Sequence, residues 1–297
     1  MYCFLVVEVK TVDRNKFKIF LIYKLLIMAY QQNLFYEGPD YKTEDGVFAI
    51  DTEFSKEGPI SLQVSYYKFP DVTITYIVIN NKYKHLVPPI KRDYYVVFSD
   101  FKSDQNVLID SFIEVLMHYD CYEKVFYKEK LSFILYVYFS AKDLTYAFGL
   151  ENKQEYYIGK NPRRKLIQRR SLTGNLFFRY FDQVNANIVS VSFIIKDLFG
   201  LSSGGLSELA KTVNLEKSTK MDGFKLNMVE GLEKDPEAFL FYAINDCILL
   251  PKIHKLLIGN YNEILRSKNI TDFFTEYNMP LTVGSIVSKI WEKNLIQ

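Results

Sequence analysis

The feature that most constrains the fold is a block of three strand-like runs close together in the chain. Residues 47–53 (VFAIDTE), 59–67 (PISLQVSYY) and 72–80 (VTITYIVIN) are rich in β-branched and aromatic residues, and short turn-forming segments (KEG and KFPD) separate them. Strands joined by such short connections pair with their sequence neighbours in antiparallel fashion. The block therefore predicts a three-stranded antiparallel meander.

The pattern after the meander predicts an α/β architecture. Residues 104–119 carry apolar side chains at helical spacing, and residues 131–139 (LSFILYVYF) form an almost continuous apolar run, as expected for a strand buried on both faces. Residues 188–195 predict a further strand, and residues 206–213 predict a helix. We therefore expect a mixed sheet, made of the meander plus parallel strands and flanked by helices.

The clearest helix start in the chain lies late in the sequence. Asp235 suits an N-cap, Pro236 suits the first helical position, and Glu237 adds a favourable charge in the first turn. Pro251 lacks a backbone donor, so we expect it to end or kink this helix. A final helical pattern covers residues 283–295.

Composition narrows the kinds of site that the chain can hold. The 297 residues include three cysteines and three histidines, with no C-x-x-C pair and no two histidines at ligand spacing. Any metal must therefore be held by oxygen atoms. The formal net charge of +2 predicts no strong electrostatic steering.

The most membrane-like segment, residues 17–29 (FKIFLIYKLLIMA), contains two lysines and is shorter than the ~20 apolar residues that a spanning helix needs. We expect no transmembrane helix there. An amphipathic targeting segment and a helix packed on the domain are the two open interpretations.

Carboxylates are the remaining candidates for chemistry. Asp51 and Glu53 lie one residue apart on the first predicted strand, so the pleat directs both to the same face. Asp143 follows the buried strand, where it suits either a functional role or the N-cap of a helix. Tyr242 and Asp246 lie four positions apart on the late helix, so their Cβ atoms are ~6 Å from each other. Taken singly, each pattern is also compatible with an ordinary surface or strand-end role.

In this chain order, the Asp-Thr-Glu, the later Asp and the Tyr-x-x-x-Asp resemble the three exonuclease motifs of the DEDD family. More closely, the sequence resembles the tyrosine-containing proofreading domain of family B DNA polymerases, particularly the protein-primed polymerases of organellar linear plasmids. The resemblance spans residues 47–291 and includes residues 235–246. It also includes residues 279–285 (MPLTVGS), which are similar to the segment that joins exonuclease to polymerase in that group.

The resemblance implies a ribonuclease H-like fold and a domain division. An N-terminal segment without an assigned role covers residues 1–40, and the exonuclease domain covers residues 41–260, with a basic excursion at about residues 151–187. Residues 261–297 would begin the connection to a polymerase domain that this sequence lacks. We find no Asp-Thr-Asp polymerase motif, so the expected activity is nuclease alone.

The resemblance also implies a catalytic set and its cofactor. Two Mg²⁺ ions, with Mn²⁺ as the alternative, would be held by carboxylates. Asp51 would bridge both ions, and Glu53 and Asp246 would complete the ligands of the first ion. Asp143 would hold the second ion, partly through water. Tyr242 would position the nucleophilic water.

The implied activity is 3′-to-5′ hydrolysis of single-stranded DNA ends, or of a frayed primer-template, during replication proofreading. Phe54 is placed either to stack on a terminal base or to lie in the core. A basic run suits either phosphate contacts or a solvated loop, and its residues are Arg163, Arg164, Lys165, Arg169 and Arg170.

The implied partners are a polymerase domain or a terminal protein, with no membrane. The implied location is the mitochondrion, with plastid or cytoplasm as alternatives. One departure from the family pattern keeps a second function open, because the segment before Asp143 (YFSAK) lacks the family's Asn and the aromatic beside the Asp. The alternative is a catalytically inactive remnant that binds DNA or a polymerase, and RNA trimming by the same acids is a third.

Overall fold

A computed structural model describes residues 42–68, 71–89, 94–101, 131–138, 143–144, 174–182, 187–202, 204–271 and 273–295. The N-terminal segment and the predicted helix at residues 104–119 lie outside the described residues. So does the basic run.

Within these described ranges, seven strands form one mixed sheet in the order β4-β3-β2-β1-β5-β7-β6. Their bounds are β1 Lys42–Ser55, β2 Gly58–Lys68, β3 Asp71–Asn80, β4 Tyr95–Ser99, β5 Leu131–Val137, β6 Gly174–Asp182 and β7 Asn187–Asp197. A 3₁₀ helix, Asn81–Leu86, follows β3, and another, Leu198–Leu201, follows β7.

The sheet confirms the predicted α/β class. Strands β1, β2 and β3 pair as an antiparallel meander, whereas β5 pairs in parallel with both β1 and β7. Residues 133–137 of β5 are buried, as the continuous apolar run predicted. This mixed sheet with packed helices is compatible with a ribonuclease H-like fold.

Two strands were not predicted. Strand β4 is short and pairs in parallel with β3, and β6 pairs in antiparallel fashion with β7 at the opposite edge. The interpretation of residues 151–187 as an excursion is therefore wrong for Gly174–Asp182, which is an edge strand of the sheet. The apolar residues of this strand, among them Leu176, Phe177 and Phe178, directly follow a polar and basic stretch, which concealed them in the sequence.

Four labelled helices complete the described fold, α1 Leu206–Lys211, α2 Met228–Lys234, α3 Pro236–Arg266 and α4 Val283–Leu295. The predicted start of α3 is confirmed. The side chain of Asp235 accepts a hydrogen bond from the Ala238 amide over 2.9 Å, and Pro236 occupies the first turn. These two residues satisfy or remove amide groups that a helix start leaves unpaired.

Of the two outcomes predicted for Pro251, an end or a kink of the helix, the end is excluded, because α3 continues to Arg266. Pro251 is buried, and so are Leu250, Ile253 and Ile258 around it. Burial of this apolar face offsets the hydrogen bond that proline removes, since most helix stability in proteins comes from packing.

Helix α3 packs across β1, β2, β3 and β5, and this contact positions the site. The Tyr67 hydroxyl donates to the Ile248 carbonyl over 2.9 Å. On the opposite sheet face, aromatic rings of Phe48, Tyr66 and Phe133 pack against one another. None of the helices in the described ranges is long and apolar enough to cross a membrane.

Candidate metal centre

The first two acids lie at the end of β1. Asp51 pairs in register with Gln63 of β2, and Glu53 pairs with Ser61, so both carboxylates project from the same face of the sheet. Both residues are half-buried. Two like charges held this close repel each other unless a proton or a cation neutralises them.

Helix α3 brings the third acid and a tyrosine to the same place. Asp246 is 5% exposed and Tyr242 is 6% exposed. Carboxylate oxygens from Asp51, Glu53 and Asp246 all lie within 4.8 Å of one another. This geometry allows the three residues to bind a metal ion together.

Asp143 adjoins the three-acid cluster from the other side of β1. Its Oδ1 accepts a hydrogen bond from the Thr52 hydroxyl over 2.7 Å, and the residue is only 3% exposed. Asp51 and Glu53 both act on its ionisation. The residue is helical, and it sits between the end of β5 and the chain that follows. The structure thus brings all five catalytic candidates of the sequence analysis to one end of the sheet.

Burial shifts the ionisation of these acids in one direction. It raises the pKa of Asp51 to about 6, and the Lys217 ammonium opposes this rise. The pKa of Glu53 is raised well above its usual range by burial and then by the Asp51 carboxylate. Burial and Asp51 likewise raise the pKa of Asp143 well above its usual range. Additional positive charge in the site would therefore stabilise the ionised form of these acids.

Lys217 supplies part of that charge. Its ammonium forms an ion pair with Asp246 Oδ2, and its side chain is only 10% exposed. The same ammonium lies 4.3 Å from the centroid of the Tyr242 ring. Burial lowers the pKa of Lys217, whereas Asp51 and Glu53 raise it. The four carboxyl groups outnumber this one ammonium, so Lys217 alone cannot neutralise them when they are ionised.

Two oxygens of the site have no hydrogen-bond partner among the described residues. They are Oδ1 of Asp246 and Oδ2 of Asp143, and both are buried. An unpaired buried carboxylate oxygen is costly, and a cation removes that cost. The donor set is made of carboxylate oxygens, which Mg²⁺ and Mn²⁺ prefer. The residues present therefore fit a divalent cation.

Tyr242 keeps its proton in this environment. Its pKa is raised by burial first and then by the Glu53 and Asp51 carboxylates. A phenol that stays protonated at neutral pH donates a hydrogen bond and cannot act as a base. The residue is therefore suited to hold a water or a substrate oxygen.

Of the residues suggested for DNA contacts, the structure describes Phe54 but not the five basic residues. Phe54 directly follows Glu53 and is 37% exposed, at a point where the register of β1 against β2 shifts. Its position beside the acids suits a ligand contact, and this role stays a prediction. The five basic residues lie outside the described residues: Arg163, Arg164, Lys165, Arg169 and Arg170.

Sequence reasoning missed Lys217 and Thr52. Lys217 lies in a loop with several other lysines, a pattern that is typical of a solvated surface. Thr52 stands between two acids and is directed to the other sheet face, so the sequence gives no reason to pair it with a residue so far along the chain. Only the fold reveals these two contacts.

No family model matches the chain, and no curated protein matches it.

Proposed function

We propose that this protein is a metal-dependent 3′-to-5′ exonuclease that removes nucleotides from single-stranded DNA ends, as in proofreading by family B DNA polymerases. The observation that carries the proposal is the convergence of acids from β1, from the segment after β5 and from α3 at one end of the sheet. Their chain order is that of the three motifs described above. A protonated tyrosine beside the acids adds further support.

Mg²⁺ is the proposed cofactor, with Mn²⁺ as the alternative. Asp51, Glu53 and Asp246 would hold one ion, and Asp143 would hold a second ion together with Asp51. When bound, two such ions supply an activated water and stabilise the attacking and departing oxygens of an in-line phosphoryl displacement.

The roles of the surrounding residues follow from their contacts. Tyr242 would donate a hydrogen bond from its phenol hydroxyl to the water or phosphate oxygen that enters the site, because its raised pKa keeps the phenol protonated. Thr52 holds one oxygen of Asp143 by a hydrogen bond and leaves the other free to bind a cation. Lys217 neutralises Asp246 until a stronger cation replaces it.

One observation favours the alternative of a silent nucleic-acid-binding fold. The Lys217 ammonium already occupies one oxygen of Asp246, so the site is partly neutralised by the protein itself. A remnant that no longer binds metal would benefit from such an internal cation. The predicted partners and the mitochondrial location stay predictions and do not depend on this choice.

The test is an oligonucleotide digestion by the purified protein. A 5′-labelled single-stranded DNA is incubated with Mg²⁺, with Mn²⁺ or with EDTA, and matched ribo-oligonucleotides run in parallel. We expect a ladder of shortened labelled products with either metal and none in EDTA. A 5′-to-3′ enzyme would instead release the labelled end nucleotide at once.

Two variants make the digestion specific. Asp51→Asn should abolish the ladder, whereas Glu208→Gln should not, because Glu208 is an exposed acid that pairs with Lys211 on α1. Failure of the wild-type protein to shorten DNA, together with retention of DNA, would overturn the nuclease and favour the silent binder. A strong preference for the ribo-oligonucleotide would replace DNA with RNA as the substrate.

A further inference from the structure

A half-exposed aromatic ring stands next to the acidic site. Phe241 immediately precedes Tyr242 in α3 and is 50% exposed, whereas Phe239, two residues before Phe241, is fully buried. A single exposed aromatic residue is common on protein surfaces and proves nothing alone. Its surroundings carry the argument.

A lysine forms a cation–π contact with this ring. The Lys220 ammonium lies 4.7 Å from the centroid of the Phe241 ring. Lys220 is exposed and forms no ion pair with any residue in the described ranges. An ammonium near a ring face is attracted by the ring and keeps a positive charge beside it.

The loop that carries Lys220 is anchored to α3. The Ser218 amide donates to Asn245 Oδ1 over 2.9 Å. Asn245 and Phe241 lie four positions apart and share one flank of the helix, so this flank holds the loop at both points. The adjacent flank carries Tyr242 and Asp246, which Lys217 contacts. Lys220 and Phe241 therefore lie at the flank of α3 that adjoins the flank of Tyr242 and Asp246.

We propose that Phe241 and Lys220 form the contact for an unpaired nucleotide whose backbone enters the acidic site. The Phe241 ring stacks on the base, and the Lys220 ammonium binds a neighbouring phosphate. Stacking on an aromatic ring needs a base that is free of its own duplex neighbours, and it accepts any base because each has a π face. The contact selects single strands without sequence preference. The proposal rests on the proposed function, since it places the strand at the acids.

Binding without metal tests the contact separately from catalysis. Affinity for a short fluorescein-labelled oligo(dT) is measured by anisotropy in EDTA over a series of salt concentrations. We expect Phe241→Ala to weaken binding by about ten-fold or more without changing the salt dependence. We expect Lys220→Gln to reduce the slope of log affinity against log salt by about 0.7, the value for one phosphate contact to a single strand.

Control variants test whether the Phe241 ring and the Lys220 charge are responsible for the binding of oligo(dT). Phe241→Trp keeps a stacking surface and should restore binding, whereas Phe241→Leu should not. Trp291→Ala removes an aromatic of α4 that is 63% exposed, and Lys211→Gln removes an exposed lysine of α1. Both controls should bind like the wild-type protein. Melting temperatures confirm that each variant is folded.

The outcomes separate this inference from the exonuclease proposal. Wild-type affinity in Phe241→Ala, or loss of binding in Phe54→Ala alone, overturns the Phe241 contact even when the protein digests DNA. An unchanged salt slope in Lys220→Gln overturns the phosphate contact. Phe241-dependent binding by a protein that digests nothing supports the contact and overturns the nuclease. No measurable binding of oligo(dT) by the wild-type protein overturns the contact outright.

Discussion

The thiol of Cys247 donates a hydrogen bond to the backbone carbonyl of Ala49 over 3.1 Å, and both residues are fully buried. Cys247 directly follows Asp246, and Ala49 lies two residues before Asp51. The contact therefore sets the position of α3 along β1 and holds the acid of the helix beside the acid of the strand.

Enlarging this contact should disturb both stability and the site. Cys247→Leu places extra methyl groups in a packed core, so we expect it to lower the free energy of unfolding by about 1–3 kcal/mol and to weaken metal binding. Cys247→Ser is the matched control, because it keeps a donor of similar size. Urea unfolding gives the stability, and thermal unfolding with and without Mg²⁺ gives the metal effect. A Leu variant with wild-type metal stabilisation would show that this contact does not position the acids.

Divalent cations should stabilise the protein through the acidic cluster. At a Mg²⁺ or Mn²⁺ concentration about ten times the dissociation constant, stabilisation is about 1.4 kcal/mol, which raises the melting temperature by about 3 °C. Asp246→Asn should remove this rise, because it removes one of the three converging carboxylates. Glu208→Gln should keep it. An unchanged rise in Asp246→Asn would place the bound metal elsewhere.

Removing Lys217 should change the melting temperature in EDTA and also the rise in melting temperature that Mg²⁺ produces. In EDTA, Lys217→Met should lower the melting temperature, because loss of one partner leaves a buried carboxylate uncompensated. With Mg²⁺, the rise in melting temperature should exceed that of the wild-type protein, because no ammonium competes for Asp246. Lys217→Arg keeps the charge and should behave more like the wild type. A smaller metal effect in Lys217→Met than in wild type would mean that the lysine supports metal binding.

The contribution of His254 to the stability of the folded protein should fall as the pH falls through the range of histidine. His254 is fully buried, and burial, with the nearby Lys196 ammonium, lowers its pKa to about 3 from 6.5. Because the unfolded chain takes up the proton at the higher pH, folding becomes less favourable below 6.5 and continues to weaken down to about 3. The loss from this residue between about pH 8 and about pH 5 is about 2 kcal/mol.

A difference measurement isolates this effect from the acids, whose raised pKa values act in the opposite direction. His254→Asn keeps a polar atom near the Tyr136 hydroxyl, which lies 2.8 Å from His254 Nδ1. Urea unfolding at both pH values should show a smaller acid loss in the variant than in the wild type. Equal losses would mean that His254 takes up its proton in the folded protein without cost.

Two glycines make a matched pair for a backbone test. A Cβ atom at Gly200 would lie 2.4 Å from the Leu281 carbonyl oxygen, whereas a Cβ at Gly259 in α3 would meet nothing within 4 Å. We expect Gly200→Ala to destabilise the protein by about 1–3 kcal/mol, because a backbone atom must move. Gly259→Ala should stabilise it by about 0.5–1 kcal/mol through helix propensity. Thermal or urea unfolding measures both, and equal effects would contradict the close approach at Gly200.

The elements that the sequence predicted are those whose signals are local. The meander follows from dense β-branched runs with short turns, and the start of α3 follows from Asp235 and Pro236 acting on the nearest amides. Edge strand β4 was missed because it has only five residues. Edge strand β6 was missed although five of its nine residues are Leu, Phe or Tyr, because it follows the polar and basic stretch that was interpreted as one excursion. The sequence left open whether Pro251 ends or kinks α3; the helix continues past it because its buried face packs on the sheet, which no local pattern records.

The candidate site divides in the same way. The pairing of Asp51 with Glu53, and of Tyr242 with Asp246, follows from strand and helix periodicity and was available from the sequence. The contacts of Thr52 with Asp143 and of Lys217 with Asp246 join distant parts of the chain, so they could not be predicted from the sequence.

The sequence by itself determined which acids share a face, since strand and helix periods act over a few residues. Only the tertiary structure decided that those faces meet, that a lysine lies among them and that a half-exposed phenylalanine stands at their side. The physical reason is that these relations depend on how α3 packs across β1. Burial of apolar surface and a few long-range hydrogen bonds set that packing.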